Sequence, residues 1–153
     1  MIYLISDLHL NHKNVIRYCN RPFKSMKEMN RKLINNWNSV VGDTDTVYFL
    51  GDFSFGRPAY WIQKLNGNII FIRGNHDRFG YTYAEIEHDG FRFLLTHNPR
   101  RVEYDGWVIH GHVHDKRPLV DRNKKRINVS CEVTNYRPIS IEDIIDKSEV
   151  KLC

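Results

Sequence analysis

The chain has 153 residues, 41% of them hydrophobic and 27% charged, and its 23 lysines and arginines outnumber 18 acidic residues to give a formal net charge of +5. This is the length of a single domain, 1–153, with the composition of an ordinary globular protein, which argues against a disordered chain. No apolar run reaches the roughly 20 residues needed to span a bilayer, so no membrane role is expected.

The N-terminal Met1-Ile-Tyr-Leu-Ile-Ser-Asp7 lacks basic residues and turns polar too soon for a signal peptide, so a cytoplasmic protein is expected. Cys19, Cys131 and Cys153 form no CxxC pair and read as free thiols. The modest positive charge favours anionic substrates but does not by itself indicate nucleic acid.

Met1 to Ser6 reads as a short strand that ends in Asp7-Leu-His9. Side chains two apart in extended backbone point the same way, so Asp7 and His9 can converge on one ion. Asn11 and His12 follow in a loop. Met26, Met29, Leu33, Trp37 and Val40 recur at helical spacing and predict an amphipathic helix from Ser25 to about Val40, with Ser25 and Glu28 as a capping box. Thr46 to Leu50 is a second strand, closed by Gly51-Asp52. Pro58 to Leu65 suits a short helix, with proline in its first turn.

A third apolar run from Ile69 stops at Gly74 and releases Asn75, His76 and Asp77. The β-α-β-α-β order implies a largely parallel sheet, whose polar sites collect outside the carboxyl ends of the strands. In the second half, Tyr81 to Glu87 and Phe91 to Thr96 flank His88-Asp-Gly90, a hairpin signal. The latter strand ends at His97, and Gly106 to Ile109 ends in His110-Gly-His-Val-His114. Pro118 to Val120 and Ile127 to Val133 read as strands joined by a basic turn. Ser140 caps a final helix, Ile141 to Lys147. Two packed sheets with helices outside follow.

Five apolar runs therefore end in residues able to bind metal: Asp7 and His9, Asp52, Asn75 and His76, His97, and His112 with His114. Two carboxylates, one amide and several imidazoles, with no thiolate, suit manganese, iron, zinc, nickel or cobalt better than calcium or magnesium. The donors are too many for one ion, and a pair of ions bridged by Asp52 is the usual arrangement for phosphate-ester hydrolysis. Two divalent ions less the charges of Asp7 and Asp52 leave a positive surplus to attract phosphate and acidify a bridging water.

Asp7-x-His9, Gly51-Asp52, Gly74-Asn-His-Asp77, His97 and Gly111-His-Val-His114 resemble, in order, the five signatures of the calcineurin-like metallophosphoesterase superfamily. The resemblance implies a four-layer α-β-β-α sandwich of two mixed sheets flanked by helices. It also implies two divalent transition-metal ions, manganese first, with Asp7, His9, Asp52 and His114 holding one and Asp52, Asn75, His97 and His112 the other. His76 is then the group that meets the scissile phosphate, with Asp77 orienting it, while a metal-bridging hydroxide attacks. Two departures stand out: Ser54-Phe55 replaces an acidic residue often found after Gly-Asp, and little chain is left for a domain capping the substrate.

His12, Arg73, Arg78, Arg100 and Arg101 stand close enough to the strand ends to grip phosphate oxygens. The expectation is a phosphoric ester hydrolase that prefers a phosphodiester to a monoester. A nuclease is the alternative, although no basic stripe with interleaved aromatics supports it. A non-enzymatic scaffold of the same fold is a weaker alternative, since every ligand position is filled.

Overall fold

The computed structural model describes residues 1–150; Cys153 lies outside the described residues, and Cys19 and Cys131 are free thiols. The elements run β1 (Ile2–Ile5), α1 (Asn14–Tyr18), α2 (Met26–Val40), β2 (Thr46–Phe49), α3 (Pro58–Ile62), β3 (Asn68–Phe71), β4 (Tyr83–His88), β5 (Phe91–Thr96), β6 (Trp107–His110), β7 (Val120–Asp121), β8 (Arg126–Asn128), β9 (Ile139–Ser140) and α4 (Ile141–Ser148). No helix among them is long and apolar enough to cross a membrane.

The strands form a four-stranded sheet, β3-β2-β1-β9, and a five-stranded sheet, β4-β5-β6-β8-β7. In the first, β1, β2 and β3 are parallel and β9 runs against β1. In the second, β5, β6 and β8 are parallel and the edge strands β4 and β7 run antiparallel. Both sheets are mixed, as expected for this sandwich.

Alternation along the strands sorts the side chains into two cores. Ile5, Val47 and Phe49 pack with Val15 of α1 and with Met29, Leu33 and Trp37 of α2, so these helices cover the outer face of the first sheet. Leu4, Leu50 and Ile72 point the other way and meet Phe93, Leu95, Ile109 and Ile127 of the second sheet, joined by Ile141 and Ile144 of α4. A 3-10 turn at Pro99–Arg101 packs on β6 of the second sheet.

Local signals act where they were expected. The Ser25 hydroxyl accepts the Glu28 N–H at the start of α2, and that of Ser140 accepts the Asp143 N–H at the start of α4. The Glu28 carboxylate accepts from the Lys24 N–H, one residue before the cap. Trp37 is fully buried and donates Nε1–H to the Asn66 carbonyl at 2.9 Å, so burial of the ring, about 1.5–3 kcal/mol, leaves no orphaned donor. At the β4–β5 turn, Asp89 and Gly90 both have positive φ, 51° and 82°, as a two-residue type I′ hairpin requires.

Two expectations are corrected. The strand expected from Ile127 to Val133 stops at Asn128, because Ser130 crosses to bridge Ser6 of the first sheet, and Cys131–Val133 then turn as a 3-10 helix. The helix expected to reach Leu65 ends at Ile62. Helix α1 and strand β9 were not anticipated.

Candidate metal centre

The ends of β1, β2, β5 and β6 are laced by backbone hydrogen bonds: Asp7 N–H to Gly51 O at 2.9 Å, His9 N–H to Asp52 O at 3.1 Å and Gly111 N–H to His97 O at 3.1 Å. Two glycines permit the approach. A Cβ on Gly111 would overlap the Ser6 hydroxyl and an Asp7 carboxylate oxygen, and one on Gly74 would overlap the backbone nitrogen and carboxylate of Asp52. Asp7, His9, Asp52, His112 and His114 all have φ between 50° and 75°, a left-handed region that non-glycine residues seldom occupy. Such conformations cost about 1–3 kcal/mol each and concentrate at functional sites.

The Asp7 side chain is buried, and its two oxygens have different surroundings. Oδ2 accepts from the Ser6 hydroxyl, the His112 N–H and the Ser130 hydroxyl. Oδ1 is buried without a hydrogen-bond partner, as is Nε2 of His9. These atoms face each other across 3.6 Å, and Oδ1 lies 3.8 Å from His114 Nε2.

Asp52 repeats the pattern: Oδ1 accepts the His76 N–H at 2.9 Å, while Oδ2 lies 3.6 Å from His9 Nε2 and 3.3 Å from His97 Nε2. His97 donates Nδ1–H to the Leu50 carbonyl at 2.7 Å, which leaves Nε2 as the free lone pair, 3.3 Å from His112 Nδ1.

The donor atoms form two overlapping groups, Asp7–His9–His114 and Asp7–Asp52–His97, each with its atoms within 4.8 Å of one another. Separations of 3.3–3.8 Å between like-purposed lone pairs are near those kept by ligands about 2.0–2.2 Å from a shared ion. Buried unpartnered donors are costly, so orphaned Asp7 Oδ1 and His9 Nε2 fit metal ligation.

Burial works to raise the Asp7 and Asp52 pKa values, but hydrogen bonds and charge from neighbouring histidines outweigh it and hold both below the usual carboxylate range. Burial likewise opposes protonation of His97 and His114. For His97 the adjoining carboxylates prevail and raise the pKa; for His114 the Cys19, Glu132 and Asp7 contacts raise it to about 10. His112 is lowered by burial and by His97. His110, on β6, is driven down to about 4 by burial.

The flanking residues divide. Asn75 lines an open cleft of about 500 Å³ together with His97, Arg73 and Arg101. His76 is exposed, its ring 5.8 Å from that of His9, and it shares a second hollow with Arg78 and Phe55. The His12 ring packs at a tilt against Phe55, centroids 4.2 Å apart, and lies 5.6 Å from His9; burial and the neighbouring histidines lower its pKa.

Two expectations need correction. Arg100 turns away from the metal centre into a pocket beside His110, because the Pro99–Arg101 turn sends successive side chains in different directions. Asp77 was expected to orient the His76 ring, and among the described residues its carboxylate makes no hydrogen bond to that ring. Its Oδ2 accepts from the Asp52 and Gly74 N–H groups, and its Oδ1 accepts from the Phe53 N–H, so it clamps two strand ends together.

A further network carries no motif. Glu132 Oε2 accepts from His114 Nδ1 at 2.8 Å and pairs with Arg21 at 2.9 Å. Arg21 also donates to the Leu8 and Asp7 carbonyls, and the Cys19 Sγ lies 3.5 Å from His114 Nδ1.

Acidic and imidazole side chains able to hold a metal ion thus gather at the carboxyl ends of strands from two facing mixed sheets. Residues 1–131 match the model of the calcineurin-like phosphoesterase superfamily domain, and the chain belongs to that superfamily. It is 50% identical to an uncharacterised protein of Methanocaldococcus jannaschii over 94% of this chain and 89% of that protein. A crystal structure of a protein of unknown function from Aquifex aeolicus superposes with a TM-score of 0.77 at 31% identity, covering 96% of this chain and 98% of that one. An archaeal protein characterised as a phosphodiesterase has the same fold, with a TM-score of 0.51 at 21% identity over 84% and 81% of the two chains.

Proposed function

We propose that this protein is a dinuclear metal-dependent phosphoesterase that cleaves a phosphodiester in preference to a monoester. The observation that carries the reading is the pairing of unsatisfied donors: Asp7 Oδ1 and His9 Nε2 are buried without partners, and Asp52 Oδ2 stands between His9 Nε2 and His97 Nε2. Asp7, His9, Asp52 and His114 would hold one divalent ion, and Asp52, Asn75, His97 and His112 the other, manganese being the first choice among manganese, iron, zinc, nickel and cobalt. Two such ions supply Lewis acidity and an acidified water.

The chain's own residues do the rest. Asp52 Oδ1 holds the His76 N–H at 2.9 Å, which fixes the backbone beneath an exposed imidazole able to meet a phosphoryl oxygen and protonate a departing alkoxide. Arg73 and Arg101 line the open cleft beside Asn75 and His97, where they can bind the non-bridging oxygens of the ester. Arg78 serves the His76 side. An open cleft leaves room for both arms of a diester, and an archaeal phosphodiesterase is built on the same fold.

Metal-analysed protein assayed on bis-aryl and aryl phosphates tests the reading. Hydrolysis of the diester should exceed that of the monoester, require added divalent metal and vanish in Asp52→Asn. A wild-type protein that carries two ions yet cleaves neither ester would sink it.

A further inference from the structure

Four open hollows adjoin one another from the α2 and α3 side of the molecule to the metal centre. The first lies between those helices and shares Tyr60 and Trp61 with the second, which shares Phe55 and Gly56 with the third. The third holds His76 and shares Asp77 with the cleft that holds Asn75 and His97. Shared walls make them one groove. Its charge is one-sided: Lys27, Arg31 and Lys64 stand on the first hollow, Arg57 on the second, Arg78 on the third, and Arg73 with Arg101 on the last. All seven are exposed, and the ion pairs made by lysines and arginines of the described residues, those of Arg21, Lys32, Arg92 and Arg122, use none of them. The carboxylate in these linings is that of Asp77, whose oxygens are taken by the Asp52, Phe53 and Gly74 N–H groups. Basic residues outnumber acidic ones only 23 to 18 in the whole chain, so the groove has gathered cations out of proportion. Unpaired cations in a concavity attract an anion, and a groove several hollows long suits a polyanion.

Aromatic rings narrow the choice of polyanion. Tyr60, Phe55 and Tyr83 line successive parts of the groove and are 52%, 40% and 58% exposed. Lys64 Nζ lies 4.7 Å from the centroid of the Tyr60 ring, so a cation and an aromatic face stand together there. The Phe55 ring lies 6.2 Å from that of His76, next to the reacting position. Cations that follow a backbone, interleaved with rings on which bases stack whatever their sequence, are the pattern of single-strand binding. A duplex keeps its base faces covered and would leave the rings unused. The interleaving is invisible along the sequence, because the cations come from α2, α3, the loops after β2 and β3, and the turn after β5.

We propose that this groove binds single-stranded nucleic acid, with backbone phosphates on its arginines and lysines and bases on Tyr60, Phe55 and Tyr83, and so brings a backbone diester to the metal centre. Cleavage of that diester rests on the phosphodiesterase reading; binding of the strand does not.

Fluorescence anisotropy of the full chain carrying Asp52→Asn, which disables cleavage, tests this with labelled oligothymidylate and oligouridylate of about 16 nucleotides, a duplex of the same length, and inorganic polyphosphate as competitor. The tighter of the two single strands, DNA or RNA, should bind more tightly than the duplex, and its log affinity should fall with log salt by about 0.7 per phosphate contacted. Arg31→Glu with Lys64→Glu should weaken it by at least about tenfold at an unchanged unfolding midpoint. Tyr60→Ala with Tyr83→Ala should weaken the strand by a similar factor but not polyphosphate, which has no bases to stack. Duplex or polyphosphate bound as tightly as the single strand, undiminished binding by either double variant, or no binding would overturn the proposal. Hydrolysis of bis-aryl phosphate by the wild type separates the two readings: cleavage with no oligonucleotide bound sinks the groove alone, and an oligonucleotide bound with no ester cleaved sinks the hydrolytic reading alone.

Discussion

Glu132 Oε2 sits 2.8 Å from His114 Nδ1 and thereby decides which nitrogen of that ring faces Asp7. With Nδ1–H directed at a carboxylate, Nε2 is the atom left for an ion, and the ring would be a more basic ligand there. Arg21 holds the same carboxylate from the far side, with side-chain exposures of 0% for Arg21 and 3% for Glu132. The chain Arg21–Glu132–His114 thus links the fold's interior to the centre.

Glu132→Gln keeps the size of the side chain but removes its charge, and should lower the affinity of the His114 metal position by about 10–100-fold, read by metal analysis after dialysis against graded chelator. Glu132→Ala should also destabilise the fold by about 3–5 kcal/mol, because it leaves the Arg21 charge buried and unpaired. Unchanged denaturant midpoints in Glu132→Ala would mean that Arg21 finds other compensation.

Asp77→Ala removes the acceptor of three backbone N–H groups, on Asp52, Phe53 and Gly74. Each orphaned group costs about 1–3 kcal/mol, so unfolding should come markedly earlier and metal content should fall with it. A residue that merely oriented His76 would give the opposite signature: turnover lost, stability and metal content intact.

The contrast between Asp77 and Asp52 shows how far the sequence reaches. Each apolar run that stops at Asp, Asn or His announces a strand end, and side chains at strand ends of a parallel sheet converge without further instruction; the gathering of Asp7, His9, Asp52, His97 and His114 was legible for that reason. What a carboxylate does once there depends on which N–H groups the neighbouring turn presents, and Asp77 meets three of them. Arg21 and Glu132 stand 111 residues apart, with no spacing to connect them. Helix α1 has five residues and β9 two, too few for a period to show. Arg100 and Arg101 are adjacent, and only the geometry of a 3-10 turn sends one to each face.

The metal-free protein should lose stability as pH rises from near neutrality. Cys19, Glu132 and Asp7 overcome burial to raise the His114 pKa from 6.5 to about 10. A pKa raised on folding contributes stability that is complete below about 6.5, the unfolded value, and is lost as pH climbs through about 10. An ion on Nε2 displaces the proton, so metal loading at pH 7 should release protons, seen as a buffer-dependent binding enthalpy. Chelator-treated wild type should become less stable between pH 6.5 and 10, and His114→Gln should show a shallower decline. Identical slopes in the two proteins would remove His114 from the account.

His76→Ala separates binding from chemistry. The contact that ties residue 76 to the centre is its backbone N–H on Asp52 Oδ1, which alanine retains, and the ring itself is exposed. Asp52 therefore keeps its position, and metal content and unfolding midpoint should match the wild type. The ring's loss falls on the reaction: proton transfer by a positioned side chain contributes about 10²–10⁴-fold, and kcat should drop by a factor in that range. The drop should be largest for esters with poor leaving groups, which need a proton most, and smallest for activated aryl esters, whose leaving oxygen departs as an anion. A uniform loss across leaving groups would point to phosphate contact alone, and a protein stripped of metal would place His76 among the ligands instead.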